Sequence, residues 1–339
     1  MKLKRLKDQT IVITGATSGI GLATARMAAK QGARVVLAGR SKDALEQVKK
    51  EIERAGGKAC MVVADVSKQE DVRRIADEAV RAFGGFDTWV NNAGVSIYGN
   101  TFDVPLEDQR KLFDTNYWGV VSGSVVASEH LRRKGTGGAI INVGSVVSDR
   151  AFPLQGVYSA SKAAVKAFTE AMRMELEHQK TPISVTLIQP AAIGTPFAQH
   201  AKNYMDAQPR LPSPLYAPES VAKAILHAAQ KPVRNLMVGA TSRLFSSLAH
   251  YSPRLTDRYM EAKMFSEQKE QVAAGGRKSI LEQASEDPRE RGYLGGRKIV
   301  ENDIYSAATR NPVKTAALAV GAGIAVAALV RRSGRTPVH

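Results

Sequence analysis

Residues 14–21 read Thr14-Gly15-Ala16-Thr17-Ser18-Gly19-Ile20-Gly21, between a β-branched run, TIVIT (10–14), and a helix-like stretch, LATARMAAKQG (22–32). Glycines in such a turn let the backbone bend sharply and approach a bound pyrophosphate. The helix that follows aims its free N–H groups and positive dipole end at that anion. Tight turns use glycine for many reasons, so the strand before and the helix after are what give the run its meaning. The spacing is G-x-x-x-G-x-G, and the reading is a dinucleotide turn.

Outward from this turn the chain alternates. Six more short apolar runs follow: RVVLA (34–38), ACMVVA (59–64), DTWV (87–90), AIINV (139–143), ISVTLI (183–188) and NLMV (235–238). Helix-like stretches such as KDALEQVKKEIERAGG (42–57) and VRRIADEAVRAFGG (72–85) lie between them, and glycine closes several, as helix C-termini prefer. Strand, helix, strand in this order predicts right-handed crossovers and a parallel sheet covered on both faces. The expected fold is α/β, a doubly wound seven-stranded parallel sheet, with residues 1–240 as one dinucleotide-binding domain.

Past 240 the texture changes. Residues 241–270 mix apolar and charged groups at near-helical spacing and predict a short helical extension. Residues 271–311 are rich in Gly, Ser and charge and read as a flexible linker. Residues 312–332 read as an apolar helix, because 315–330 carry no charge and basic residues flank them at Arg310, Lys314, Arg331 and Arg332. Such a helix must be buried in protein or lipid; membrane attachment through the C-terminus is expected, with a helix docked on the enzyme or on a second subunit as the alternative.

Bulk composition narrows the classes. The formal charge of +16 attracts anions, yet it is interleaved with 32 acids, and no aromatic-rich basic strip argues for nucleic acid. A single cysteine, Cys60, excludes an internal disulfide framework and reads as a buried small hydrophobe. The six histidines show no ligand spacing, so no metal is expected. The basic N-terminus lacks an apolar stretch of signal-peptide length, which argues against secretion, and supply of the dinucleotide argues for a domain in the cytoplasm.

Several further motifs occur in order: Asp65 after the third predicted strand, Asn-Asn-Ala-Gly at 91–94, Asn116, Ser145 and Tyr158-Ser-Ala-Ser-Lys162. With residues 14–21 they make the stretch from about 8 to 240 resemble the short-chain dehydrogenase/reductase family. That resemblance implies a Rossmann-like fold, a nicotinamide coenzyme, and hydride transfer between a carbonyl and a secondary alcohol. It implies coenzyme contacts from Gly15, Thr17, Ser18, Gly19, Ile20 and Gly21, from Asp65 and Val66 at the adenine, Asn92 near the adenosine ribose, and Thr195. It also implies Tyr158 as acid and base, Lys162 as its electrostatic partner and ribose contact, Ser145 holding the substrate oxygen, and Asn116 in a proton relay. A lysine ammonium near the phenol is expected to lower its pKa. The Y-x-x-x-K spacing counts against reduction of C=C bonds. The chain departs from the family pattern at Pro190-Ala191, where Pro-Gly is usual.

The second predicted strand ends in Leu37-Ala38-Gly39-Arg40-Ser41, with no acid for a ribose hydroxyl pair. Arg40 suits a 2′-phosphate, so NADP(H) is expected ahead of NAD(H). The loop from Ile193 to Pro218 carries Phe197, Tyr204, Met205, Leu211, Leu215 and Tyr216, a lid suited to a hydrophobic small-molecule carbonyl or alcohol. A homo-dimer or homo-tetramer is expected. A non-catalytic NADP(H)-binding sensor or scaffold is the alternative.

Overall fold

The structure is a computed structural model and describes residues 1–275, 279–286, 288–301 and 303–310. Seven strands form the central sheet: β1 (Thr10–Thr14), β2 (Arg34–Gly39), β3 (Lys58–Val63), β4 (Thr88–Asn91), β5 (Gly138–Val143), β6 (Ile183–Pro190) and β7 (Asn235–Val238). Their order is β3-β2-β1-β4-β5-β6-β7, and every neighbouring pair is parallel. The order reverses between β1 and β4, which opens a crevice at the carboxyl ends of those strands where ligands bind in open α/β sheets.

Burial on both faces explains why the strands read as apolar runs rather than as alternations. The pleat nevertheless sorts them. Ile11, Ile13, Val35, Leu37 and Ile141 enter one core cluster, while Val12, Val36, Trp89 and Ile140 enter the other. Each fully buried side chain of this size contributes roughly 1.5–3 kcal/mol of transfer free energy.

The helices carry the matching signals. α1 (Gly19–Lys30) starts from the glycine turn. α2 (Lys42–Arg54) is capped by Ser41, whose hydroxyl accepts from Ala44 N at 3.3 Å. α3 (Gln69–Phe83) begins with Glu70 and Asp71, buries Val72, Ile75, Ala76 and Ala79 on one face, and ends at Gly84 with φ +76°. A left-handed terminal residue is what glycine allows at no steric cost. α4 (Leu106–Phe113), α5 (Gly119–Lys134), α6 (Gly156–His178) and α7 (Pro218–Ala228) complete the two helical layers.

The extension after 240 forms α8 (Ala240–Tyr251) and α9 (Pro253–Tyr259), followed by a π-turn over Met260–Met264. The stretch 271–311, expected as a linker, differs from that expectation. The strand Lys269–Ala273 pairs with Ala207–Pro209, and Ile299–Val300 pairs with Leu215–Tyr216, both partners lying in the lid. Gly239 N donates to Asp303 Oδ2 at 2.8 Å and to Ser306 Oγ at 3.0 Å, fixing the helix Ile304–Arg310 beside β7. Apolar periodicity is absent here because backbone pairing and ion pairs hold the stretch. The apolar helix expected over 312–332 lies outside the described residues. Among the described residues no helix is long and apolar enough to cross a membrane.

Candidate active site

The glycine turn closes through direct backbone approach. Gly15 has φ +65°, and a Cβ there would lie 2.9 Å from Ala93 Cα. At Gly21, in the first turn of α1, a Cβ would lie 2.0 Å from Gly15 O. Alanine at either position would push the turn away from β4. The Asn92 amide donates to Thr14 O at 2.9 Å and Gly15 O at 3.2 Å, so it staples the turn to the end of β4. Thr14 Oγ1 answers by accepting from Asn92 N and Ala93 N. This stapling has no counterpart in the sequence reading of Asn92 as a ribose neighbour.

A cavity of about 760 Å³ runs from this turn across the sheet edge. Gly15, Thr17, Ser18, Gly19, Ile20, Arg40, Asp65, Val66, Asn92 and Thr195 all line it, whereas Gly21 lies behind the wall. Asp65 Oδ1 accepts from Ser67 N and Ser67 Oγ, which fixes the carboxylate at the end of β3. Arg40 Nη2 donates to Ile280 O, with Gln283 O at 3.5 Å. The turn fits a dinucleotide at Gly19, where φ is +52° and an added Cβ would lie 3.1 Å from the Thr195 side chain across the cavity.

Ser145, Tyr158 and Lys162 line the same cavity. Ser145 follows β5 and caps the short turn Val146–Ser148, its hydroxyl accepting from Val147 N at 3.3 Å. Tyr158 and Lys162 sit one turn apart on α6, and Lys162 Nζ lies 5.8 Å from the Tyr158 ring centroid. The ring of Phe197 stands 5.4 Å from that of Tyr158. Lys162 Nζ donates to Val143 O at 2.9 Å. Asn116 lies in a π-turn, Asp114–Trp118, between α4 and α5. Its Oδ1 accepts from Val95 N at 2.8 Å, and its Nδ2 donates to Val95 O at 2.9 Å and to Ser161 Oγ at 3.1 Å. Asn116 does not face the cavity. A Cβ at Gly94 would lie 3.4 Å from Asn116 Oδ1 and 3.7 Å from Lys162 Nζ, so this glycine keeps clear the space between the two side chains.

Burial sets the electrostatics. It pulls the Lys162 ammonium down to about 8. It pushes the Tyr158 phenol above the ordinary tyrosine value, while the Ser145 hydroxyl beside it acts in the opposite sense. Desolvation of the phenolate outweighs the Ser145 hydrogen bond here, so burial opposes the lowering expected from the lysine. A phenol held protonated is suited to giving a proton to a carbonyl oxygen. Cys60, by contrast, is buried in the core, and burial pushes its thiol up to about 12, which removes it as a nucleophile.

The far end of the cavity is apolar. Val147, Phe152, Phe197, Leu211 and Met264 line it, with the exposed Leu248 and Leu255 at its rim. Phe197 and Leu211 come from the expected lid. Of the other lid residues singled out, Tyr204 donates to Asp108, and Leu215 and Tyr216 are buried beneath. Leu248, Leu255, Tyr259 and Met264 were missed as cavity residues. Their near-helical spacing signalled packing but gave no sign of what they would face. At Pro190-Ala191 the unusual methyl is accommodated because residue 239 is glycine with φ +94°. A Cβ at Gly239 would lie 2.8 Å from Ala191 Cβ.

A family model described as short chain dehydrogenase matches residues 9–206. The uncharacterized oxidoreductase YxnA of Bacillus subtilis is 46% identical over 323 residues, 95% of this chain and 90% of its own. The 3beta-hydroxysteroid dehydrogenase 1 of Eggerthella lenta is 36% identical over 227 residues, 65% of this chain and 85% of its own. Among solved structures, a short chain dehydrogenase/reductase from Burkholderia phymatum in complex with NAD superposes with a TM-score of 0.68 at 27% identity, covering 75% of this chain and 96% of the other. An alcohol dehydrogenase from the archaeon Thermococcus sibiricus complexed with 5-hydroxy-NADP gives 0.59 at 28% identity, over 68% and 95% of the two chains.

Proposed function

Because this chain belongs to the short chain dehydrogenase family, and is thus an oxidoreductase of CH–OH and C=O groups, we propose that it is an NADP(H)-dependent enzyme interconverting a hydrophobic ketone and its secondary alcohol. The observation that carries the reading is one cavity shared by the glycine turn, the Ser145 hydroxyl, the Tyr158 phenol and the Lys162 ammonium, with an apolar far end.

Gly15, Thr17, Ser18, Gly19 and Ile20 would hold the pyrophosphate side of the coenzyme, Asp65 and Val66 its adenine, Arg40 a 2′-phosphate, and Thr195 its nicotinamide end. Gly21 and Asn92 shape the turn. When bound, the coenzyme supplies or accepts the hydride. In the reducing direction Tyr158 Oη gives its proton to the carbonyl oxygen while Ser145 Oγ holds that oxygen in place. In the oxidising direction Tyr158 Oη takes the proton back. Lys162, positive below about pH 8, stabilises the phenolate left after proton transfer. Asn116, clamped on Val95, borders the space that Gly94 leaves beside Lys162 and would serve a proton relay there.

The preference for NADP(H) rests on Arg40, because β2 ends without an acid and the Ser41 hydroxyl is already spent on capping α2. The apolar chamber supports a hydrophobic substrate, and residues 241–270 complete its wall. Homo-oligomers and attachment to a membrane through residues 315–330 belong to the same reading. The test is turnover of NADPH and of NADH across ketones and aldehydes of increasing apolar size. Turnover with NADPH on the larger apolar ketones is expected; coenzyme binding without turnover on any carbonyl contradicts the reading and favours a sensor.

A further inference from the structure

We infer that residues 279–286 and 288–292 form an autoinhibitory strap that competes with the dinucleotide for its phosphate-binding groups. The inference rests on the coenzyme site proposed above. Two donors of that site are engaged by main-chain oxygens of the strap. Gly19 N, at the start of α1, donates to Arg289 O at 3.0 Å. Arg40 Nη2 donates to Ile280 O and approaches Gln283 O. A helix N-terminal N–H and a guanidinium are the groups that a pyrophosphate and a 2′-phosphate seek. The single Gly19 N–H cannot serve the strap and a phosphate at once, and Arg40, with five N–H donors, has its Nη2 turned to the strap.

The strap is held at both ends. Toward the lid, Ile280 N donates to His200 O at 2.9 Å, and Lys202 Nζ pairs with Glu282 at 2.7 Å. Toward α1, Arg26 pairs with Glu290 at 2.7 Å, and Gly292 N donates to Gly194 O at 3.2 Å. A Cβ at Gly292 would lie 2.6 Å from Thr195 O, so the strap lies flush on a third coenzyme residue. Ile280 also lines the substrate chamber, so one movement changes both halves of the site. These ties are single hydrogen bonds and part-exposed ion pairs, individually weak in water. A phosphate is a stronger acceptor for Gly19 and Arg40 than a neutral carbonyl. The strap therefore yields to the coenzyme, and the apparent affinity is reduced by the fraction of molecules in which it is closed.

Two measurements on the full chain test this. Hydrogen–deuterium exchange is followed with and without saturating NADPH, and NADPH is titrated into wild type, Glu290→Gln and Lys202→Gln. Faster exchange at Ile280 and Gly292 on NADPH binding is expected, with each substitution tightening NADPH about two- to fivefold. Arg26 keeps its second partner, Glu51, in the Glu290 variant. Strap amides whose exchange is unchanged or slowed by bound NADPH would overturn the proposal and make the segment a lid that closes on the coenzyme. Unchanged affinity in both variants overturns it too. If no chain binds NADPH or NADH, the coenzyme-site reading falls and the strap with it; if NADPH binds while the strap stays protected, only the strap falls.

Discussion

Lys162 carries a burial penalty that can be read separately from catalysis. Its ammonium is lowered from 10.5 to about 8 by desolvation, a shift on the order of 3 kcal/mol against the charged folded state. Below pH 8 both folded and unfolded chains hold the proton, and the full penalty applies. Between about 8 and 10.5 the unfolded chain binds more protons, so this group's contribution makes stability rise with pH. Lys162→Met removes the charge and keeps the length. It is expected to abolish turnover, yet to melt no lower than wild type at pH 7, with its advantage shrinking toward pH 10. Thermal melts against pH check this; a Met variant markedly less stable at pH 7 would show that the ammonium stabilises the fold. At this scale the sequence was informative where chemistry demands rare residue types at fixed spacing, as at Ser145, Tyr158 and Lys162. It was silent on Leu248 and Leu255, whose importance lies in what they face, and on the space that Gly94 keeps clear beside Lys162. It also could not register the burial that raises the phenol, because motif spacing carries no measure of it.

Elements were legible in proportion to how locally they are determined. All seven strands of the sheet were readable because β-branched runs buried on both faces leave continuous apolar words in the chain, such as TIVIT and ISVTLI. The ends moved by a residue or two: β6 continues to Pro190 and β3 begins at Lys58. The π-turn at Asp114–Trp118 left no readable signal, although it swings Asn116 toward Val95. The segment after Gln271 was misread for a related reason. Its partners are backbone edges in the lid and at α1, far away in sequence, and its Gly-rich, charged composition is shared with true linkers.

At the scale of the whole molecule, β4 stands beside β1 while the chain's next two strands lie on the other side, so the glycine turn, the end of β4 and the end of β5 converge on one crevice. That convergence follows from right-handed crossovers and is why the family resemblance and the alternation point to the same site. The tail beyond Asn311 is a separate question. If residues 315–330 hold the enzyme to lipid, the full chain fractionates with membranes and a chain ending at Asn311 does not; both remaining in solution without detergent contradicts the attachment. Proton transfer by Tyr158 is tested by NADPH affinity and carbonyl turnover in Tyr158→Phe beside wild type. Affinity within a fewfold of wild type and turnover lower by about 10²–10⁴-fold are expected, the usual contribution of a positioned acid; turnover that survives the substitution unchanged would exclude Tyr158 as the proton donor.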